Sequence, residues 1–303
     1  MIFDKTHKNV QDVYSLLRDS KRSNGGSNDI GSVKTPNISN SIFITDFPSP
    51  INDVFHIGKN GYKFSDIVLP KEIEEEIQNI VFEHKDEDFF VSMGLMPTNK
   101  VLFYGSPGCG KTMLTYTLAQ MLRRELKIVN LSKLVSSHLG ETSNNLASIF
   151  SKYGNRDTVL FIDEFDVIGR LRGDTGNDHN EMKRIVNTLL QLIDFFPSEG
   201  FLVFATNSIK IIDEALLRRL DRVIEIPLPN PSGIQKYLKL KMARYNDLIG
   251  KIDYKELSKS YSGSSFSEIQ RLLQKKIKNK VIQQRKSGVI VKIRTEDLEK
   301  NQE

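Results

Sequence analysis

The stretch VLFYGSPGCGKTMLTYTLAQMLRRE, residues 101–125, decides how the rest of the chain reads. Four apolar residues, Val101 to Tyr104, run into GSPGCGKT, Gly105 to Thr112, and a helical pattern, TMLTYTLAQMLRRE, follows at once. The octapeptide fits G-x-x-x-x-G-K-[ST], and strand, loop, helix is the context that pattern requires. Its glycines let backbone N–H groups wrap phosphates at a helix N-terminus. Lys111 is placed to bridge the β- and γ-phosphates of a nucleotide, and Thr112 to coordinate Mg2+. Ser106, Pro107, Gly108, Cys109 and Gly110 complete the expected phosphate cradle. A chance match in a chain this long is on the order of a per cent, and the flanking context lowers that further.

Outward from this stretch, short apolar runs recur at Ile128–Leu131, Val159–Ile162, Phe201–Ala205 and Val223–Ile226. Helix-like segments lie between them. Continuous apolar runs fit strands buried on both faces, and the alternation predicts a parallel α/β sheet. Upstream, Pro70 opens KEIEEEIQNIVFEHKDEDFF, predicted as one helix with proline at its first turn. Past PLPNPSG, residues 227–233, the strand signal fades and 232–303 reads as mostly helical, which puts a domain boundary near 228. At the other end, KNVQDVYSLLRDSK, residues 8–21, carries Val10, Val13, Leu16 and Leu17 at helical spacing. The Gly-, Ser- and Asn-rich stretch at 22–40 is too polar to offset chain ordering and reads as a linker. The expected organisation is therefore an N-terminal helix and linker over 1–61 with a role in client or partner recognition. A nucleotide-binding α/β domain over 62–227 and a helical domain over 228–303 follow it.

Composition narrows the classes. The 303 residues are 39% hydrophobic and 27% charged, as expected of a globular protein. No apolar run approaches the roughly 20 residues needed to cross a bilayer. The start, MIFDKTHKNV, shows no secretory pattern, so a cytoplasmic location is expected. A single cysteine, Cys109, excludes an intrachain disulfide and a multi-cysteine zinc site. The five histidines are scattered and form no H-E-x-x-H. The net charge of +5 and pI near 9.0 permit contact with nucleic acid without requiring it.

Three further stretches carry candidate chemistry. TVLFIDEFD, residues 158–166, ends an apolar run in Asp163 and Glu164. Asp163 is expected near a metal, and Glu164 on the γ-phosphate side, where it can polarise an attacking water. FLVFATN, residues 201–207, ends in Asn207, a candidate to hold the same water. In IDEALLRRLDRVIEIPLPN, residues 212–230, Arg218 and Arg219 form a basic pair at a helix end, where macrodipole complementation is the plain alternative.

Together these residues resemble the AAA family of ATPases, in its classical clade, of the single-domain bacterial or katanin/spastin-like remodeller type. GSPGCGKT resembles the family's phosphate loop, FIDEFD its acidic motif, and Asn207 its sensor residue. ALLRRLDRVIEIPLP resembles the stretch that supplies arginine fingers across a subunit interface, which casts Arg218 and Arg219 in that role. FSDIVLPKEIEEEI, from Phe64, resembles the segment beside the adenine and brings in Ile67 and Val68. GSSFSEI, Gly263 to Ile269, resembles the lid signature G-x-S-G-A-[DE]-[IL], with Phe266 and Ser267 in place of the small pair, bulk that works against close packing of lid on nucleotide. SKLVSSHLGETSNNLASIF, residues 132–150, resembles the segment bearing a substrate-gripping pore loop, with His138-Leu139-Gly140 as its triplet. Histidine there replaces a larger aromatic and buries less apolar area. Cys109 stands where threonine is common, either as a small filler or as a thiol whose oxidation would add bulk beside the phosphates.

The resemblance implies a P-loop NTPase core with a five-stranded parallel sheet and a small all-helical lid. It implies ATP and Mg2+ as cofactors and assembly into a ring, usually of six copies, with ATP between subunits. The expected activity is ATP hydrolysis coupled to remodelling, unfolding or disassembly of a polypeptide client. No peptidase motif is present, so proteolysis would need a separate partner. Two rivals stand beside this reading. RLLQKKIKNKVIQQRK, residues 271–286, has seven basic residues and no acid, which suits a nucleic-acid-linked loader as well as a solvated lid helix. An ATP-gated scaffold is the other, against which Glu164, Asn207 and the paired arginines argue.

Overall fold

The computed structural model describes residues 64–132, 134, 141–167, 178–246, 248–287 and 292–300. The helix and linker expected within 1–61 and the triplet His138-Leu139-Gly140 lie outside the described residues. Five strands form one sheet: β1 (Lys100–Tyr104), β2 (Glu125–Asn130), β3 (Thr158–Asp163), β4 (Phe201–Thr206) and β5 (Arg222–Glu225). Their order is β2-β3-β4-β1-β5 and each pairing is parallel, as the alternating pattern predicts. Parallel neighbours need crossovers, and helices supply them.

Two helices precede the sheet, α1 (Lys71–Lys85) and α2 (Glu87–Ser92). Then α3 (Lys111–Met121) links β1 to β2, α4 (Thr142–Tyr153) lies between β2 and β3, α5 (Asp178–Asp194) between β3 and β4, and the short α6 (Glu214–Leu217) before β5. Successive strand residues face opposite sides. Leu102, Leu160 and Phe204 therefore join a core with Leu146 of α4 and Leu189 of α5. Phe103, Phe161 and Val203 join a second core with Ile77 of α1 and Leu118 of α3. Each such fully buried side chain contributes about 1.5–3 kcal/mol.

Several boundaries differ from the expected ones. The segment after Pro70 is two helices, because the chain turns at Asp86, whose carbonyl accepts the N–H groups of Phe89 and Phe90. Pro70 itself stands before the first turn, in extended conformation. The helix after the phosphate loop stops at Met121 rather than running to Glu125. Arg123 takes a left-handed φ of 58°, and Arg123 and Arg124 donate to the carbonyls of Gln120 and Ala119. That turn frees Glu125 to begin β2, three residues before the apolar run starts. β2 and β5 are the sheet's edges, so their outer residues are polar or exposed, and Val223 is 38% exposed. Burial on both faces holds for β1, β3 and β4 and fails at these edges.

From Pro231 onward the chain is helical: α7 (Pro231–Met242), α8 (Tyr254–Ser260), α9 (Phe266–Ser287) and α10 (Thr295–Leu298). One parallel bridge, between Ile249 and Ile293, departs from an all-helical expectation. Asn230 caps α7, its Oδ1 accepting from Gly233 N at 2.8 Å, with Pro231 opening the first turn. These helices build a third core around Leu238, Met242, Leu257, Tyr261 and Leu273. The long α9 turns Ile269, Leu273 and Ile277 inward and leaves Arg271, Lys275, Lys278 and Arg285 exposed.

Candidate active site

The ends of β1, β3 and β4 deliver the site. β1 runs into Gly105, whose φ is +139°, and a Cβ there would lie 2.1 Å from the carbonyl oxygen of Ile226 at the end of β5. Only glycine fits so close a backbone approach. Gly110, φ +103°, caps α3 and would meet nothing within 4 Å, so it faces open space. Lys111, the first residue of α3, is 8% exposed and aims its Nζ back into the loop. It donates to Gly105 O at 2.7 Å, to Ser106 O at 3.2 Å and to Asn207 Oδ1 at 2.8 Å.

Thr112 stands next to Lys111, and its Oγ1 donates to Asp163 Oδ2 at 3.4 Å. The other oxygen of Asp163 accepts from Glu164 N at 2.8 Å. Glu164 takes a left-handed φ of 56° and is exposed. That conformation costs a side-chain-bearing residue about 1–2 kcal/mol, and such strain clusters at functional sites. The turn is anchored just beyond, where Phe165 N donates to Ala205 O at 2.9 Å and its ring meets Phe204 at 4.4 Å between centroids.

Burial desolvates both the cation and the carboxylate of the site. Burial pushes the Lys111 ammonium below its ordinary pKa, with the Cys109 thiol and the carboxylates of Asp163 and Asp166 opposing. Burial also raises the Asp163 carboxyl, against the Glu164 N–H and the Lys111 and Thr112 side chains. Carbonyl oxygens are neutral acceptors, and a phosphate oxygen would give Lys111 shorter, charge-assisted bonds about twice as strong.

Beside the loop lies a cavity of about 250 Å³. Its lining includes Val68, Cys109, Ile226, Leu228, Gly233 and Phe266. Of the two residues expected beside a nucleobase, Val68 lines this cavity. Ile67 instead packs against the core under β1. Cys109 is 2% exposed, and burial raises its thiol against the pull of Lys111, which keeps the unreactive neutral form at neutral pH.

A family model described as "ATPase family associated with various cellular activities (AAA)" matches residues 101–228. "Uncharacterized AAA family ATPase y4kL" of Sinorhizobium fredii (strain NBRC 101917 / NGR234) is 37% identical over 240 residues, 79% of this chain and 72% of that protein. The chain belongs to the AAA family of ATPases. "ATP-dependent zinc metalloprotease FtsH" of Aquifex aeolicus (strain VF5) is 32% identical over 240 residues, 74% of this chain and 38% of that one. "26S proteasome regulatory subunit 8 homolog B" of Arabidopsis thaliana is 34% identical over 208 residues, 66% of this chain and 49% of that one. This AAA chain thus spans less than half the length of the latter two relatives. Among the described residues no helix is long and apolar enough to cross a membrane.

In this AAA ATPase Lys111 bonds Asn207 and Thr112 bonds Asp163, while Glu164 stands exposed next to Asp163. Arg218 and Arg219 take other partners. Arg218 pairs with Glu214 at 2.6 Å across one helical turn, and Arg219 bonds Asp194 Oδ1 and Ala215 O, each at 2.7 Å. Two residues beside the phosphate loop escaped the reading of the sequence as binding residues. Ser267 N donates to Gly108 O at 3.1 Å, and a Cβ on Gly108 would stand 2.8 Å from both Ser265 Oγ and Ser267 Cβ. The lid start therefore rests on the phosphate loop, and the Phe266 ring packs on Tyr237 and lines the cavity beside it. The signal was the departure of Phe266-Ser267 from the lid signature.

Proposed function

We propose that this AAA ATPase hydrolyses ATP with Mg2+ at the interfaces of a ring of its own copies, usually six in this family, and uses the energy to remodel protein substrates. The observation that carries the nucleotide half is the contact of Lys111 Nζ with Asn207 Oδ1 at 2.8 Å, beside Thr112 and Asp163. It gathers a phosphate cation, a hydroxyl, a carboxylate and a polar sensor at the ends of three adjacent strands.

In this reading Lys111 trades its carbonyl partners for β- and γ-phosphate oxygens. The hydroxyl of Thr112 and the carboxylate of Asp163 fit Mg2+, a hard cation bound through one or two protein oxygens plus phosphates. When bound, that ion neutralises charge on the transferred phosphoryl group. Glu164 takes a proton from the attacking water, and Asn207, released by Lys111, orients that water. Arg218 and Arg219 sit on the exposed end of α6 and serve the site of a neighbouring copy. The similarity to FtsH and to the proteasome regulatory subunit favours a protein client, and the triplet His138-Leu139-Gly140 is assigned its grip.

Mixing tests the ring. Chains carrying Arg218→Ala with Arg219→Ala, and chains carrying Glu164→Gln, should each be nearly inactive, because an arginine finger is generally worth about 10³–10⁵ in rate. Mixed assemblies should regain activity, since some interfaces then hold both halves. Inactivity of verified mixed assemblies would rule out an arginine supplied in trans. The exposed basic residues of α9 favour a second reading, a nucleic-acid-linked ATPase. It predicts stimulation of ATPase rate by DNA rather than by an unfolded protein.

A further inference from the structure

The first turn of α9 is held by two partners far apart in sequence. One is the phosphate loop. Ser267 N donates to Gly108 O at 3.1 Å, and Ser265 Oγ lies 2.8 Å from where a Cβ on Gly108 would stand. The same Ser265 Oγ accepts from Glu268 N at 3.3 Å, as a helix cap does. The other partner is Lys300, just past α10. Its Nζ donates to Ser264 Oγ at 2.7 Å and to Glu268 Oε1 at 2.9 Å. Ser264 is fully buried, and Glu268 and Lys300 are partly exposed. The two residues that Lys300 holds, Ser264 and Glu268, therefore bracket in sequence the two that meet Gly108, Ser265 and Ser267. The backbone around Lys300 has anchors of its own. Tyr261 Oη donates to Leu298 O at 2.6 Å, Lys280 Nζ to Asp297 Oδ1 at 2.7 Å, and Lys300 N to Ser260 Oγ at 3.3 Å.

We infer that Lys300 is a positioning residue for phosphate binding: by fixing Ser264 and Glu268 it keeps Ser265 and Ser267 seated on Gly108 and so holds the phosphate loop in shape. The inference rests on the nucleotide site assigned above and adds a residue remote from it in sequence. A trans peptide is planar, so the carbonyl of Gly108 and the N–H of Cys109 point in opposite directions. Ser267, by binding that carbonyl, also fixes the direction of the Cys109 N–H. Gly108 itself sits at φ +77°, in the left-handed region, where glycine moves freely unless a neighbour restrains it. A loop already held in its binding shape loses less conformational freedom when a ligand arrives, and binds more tightly for that reason. The Lys300 ammonium touches none of the phosphate-loop residues and acts through the first turn of α9.

Calorimetry on the full chain tests this with a non-hydrolysable ATP analogue and with inorganic tripolyphosphate. Lys300→Met should raise the Kd of both about three- to tenfold, the scale of losing one partly exposed charge-assisted contact. Tripolyphosphate should weaken with the analogue because the effect runs through the loop that holds phosphates. Lys300→Arg, which keeps the charge and the donors, should bind both within about twofold of the parent. Glu268→Gln should weaken both in the same direction, and Lys300→Met with Glu268→Gln should lose less than the product of the two single losses, as residues in contact do. In steady state, KM for ATP should rise in Lys300→Met while kcat stays within a few-fold. Parent-like binding of both ligands by Lys300→Met overturns the inference. So does a loss confined to the analogue, a loss as large in Lys300→Arg as in Lys300→Met, or full multiplication of the two single losses. Failure of the parent chain to bind either ligand would instead overturn the nucleotide site.

Discussion

The two ends of the sheet are built to opposite purposes. At the C-terminal ends of the strands, φ is positive at Gly105, Gly108, Gly110 and Glu164, a buried ammonium leans on neutral carbonyls, and Asp163 is desolvated. At the N-terminal ends, polar groups are matched with one another. Asp221 Oδ2 accepts from Asn99 N and Lys100 N, each at 2.8 Å. Asn99 Nδ2 donates to Pro197 O and Ser198 O at 3.1 and 3.2 Å. Glu83 takes Thr98 N at 2.7 Å, and His84 donates its Nε2–H to Thr98 O at 2.6 Å. One end is closed by the chain itself and holds the strands in register. The other holds buried, desolvated charge that a ligand can meet.

The contrast breaks most visibly at the ligand end. Lys111→Ala should abolish ATP binding and turnover together, because the phosphates lose their main side-chain charge. Glu164→Gln should keep ATP and lose about 10²–10⁴ in kcat, since glutamine hydrogen-bonds but takes no proton. Filter binding beside a phosphate-release assay reads both, and equal ATP binding by the two variants would refute the division of roles.

At the closed end the effect should fall on stability alone. Asn99→Ala removes two hydrogen bonds to backbone carbonyls, at a cost of about 2 kcal/mol. For a domain of this size that lowers Tm by about 4–8 °C. The kcat and KM of the folded protein should stay within about twofold. A fall in kcat without a fall in Tm would erase the distinction between the ends.

The smallest effect is on pH dependence. Burial pushes His84 below its ordinary 6.5, helped by Arg124 and opposed by the Thr98 carbonyl, Glu87 and Glu83. With Nε2 donating to Thr98, Nδ1 faces Arg124 Nη2 at 3.4 Å, so a second proton would meet a cation. The folded state therefore binds that proton less readily than the unfolded chain. Stability is fully present above about 6.5 and is lost as pH falls through the folded pKa. His84→Gln should flatten this shallow slope in urea titrations between pH 7 and pH 5, and an unchanged slope would clear His84 of the effect.

Much of this was legible in the sequence. The phosphate loop declared itself because positive φ selects glycine locally, and a short apolar run before it marked a buried strand. β1, β3 and β4 showed plainly because they are interior. β2 was read three residues short because an edge strand alternates Glu125 and Lys127 with its buried residues, which removes the continuous apolar signal. The break at Asp86 and the early end of α3 rest on one residue's dihedral each, which periodicity averages away.

Residue order alone fixed the strand–loop–helix unit, the acids ending β3 and the helical region after Pro231, since dihedral preference and periodicity act over a few neighbours. It did not fix which of these meet. Lys111 reaches Asn207 across 96 residues only because the order β2-β3-β4-β1-β5 sets β1 beside β4. Phe266 reaches the cavity only because α9 starts against Gly108. Such contacts follow from how buried faces pack in three dimensions, and that packing sums over the whole chain rather than over any window of it.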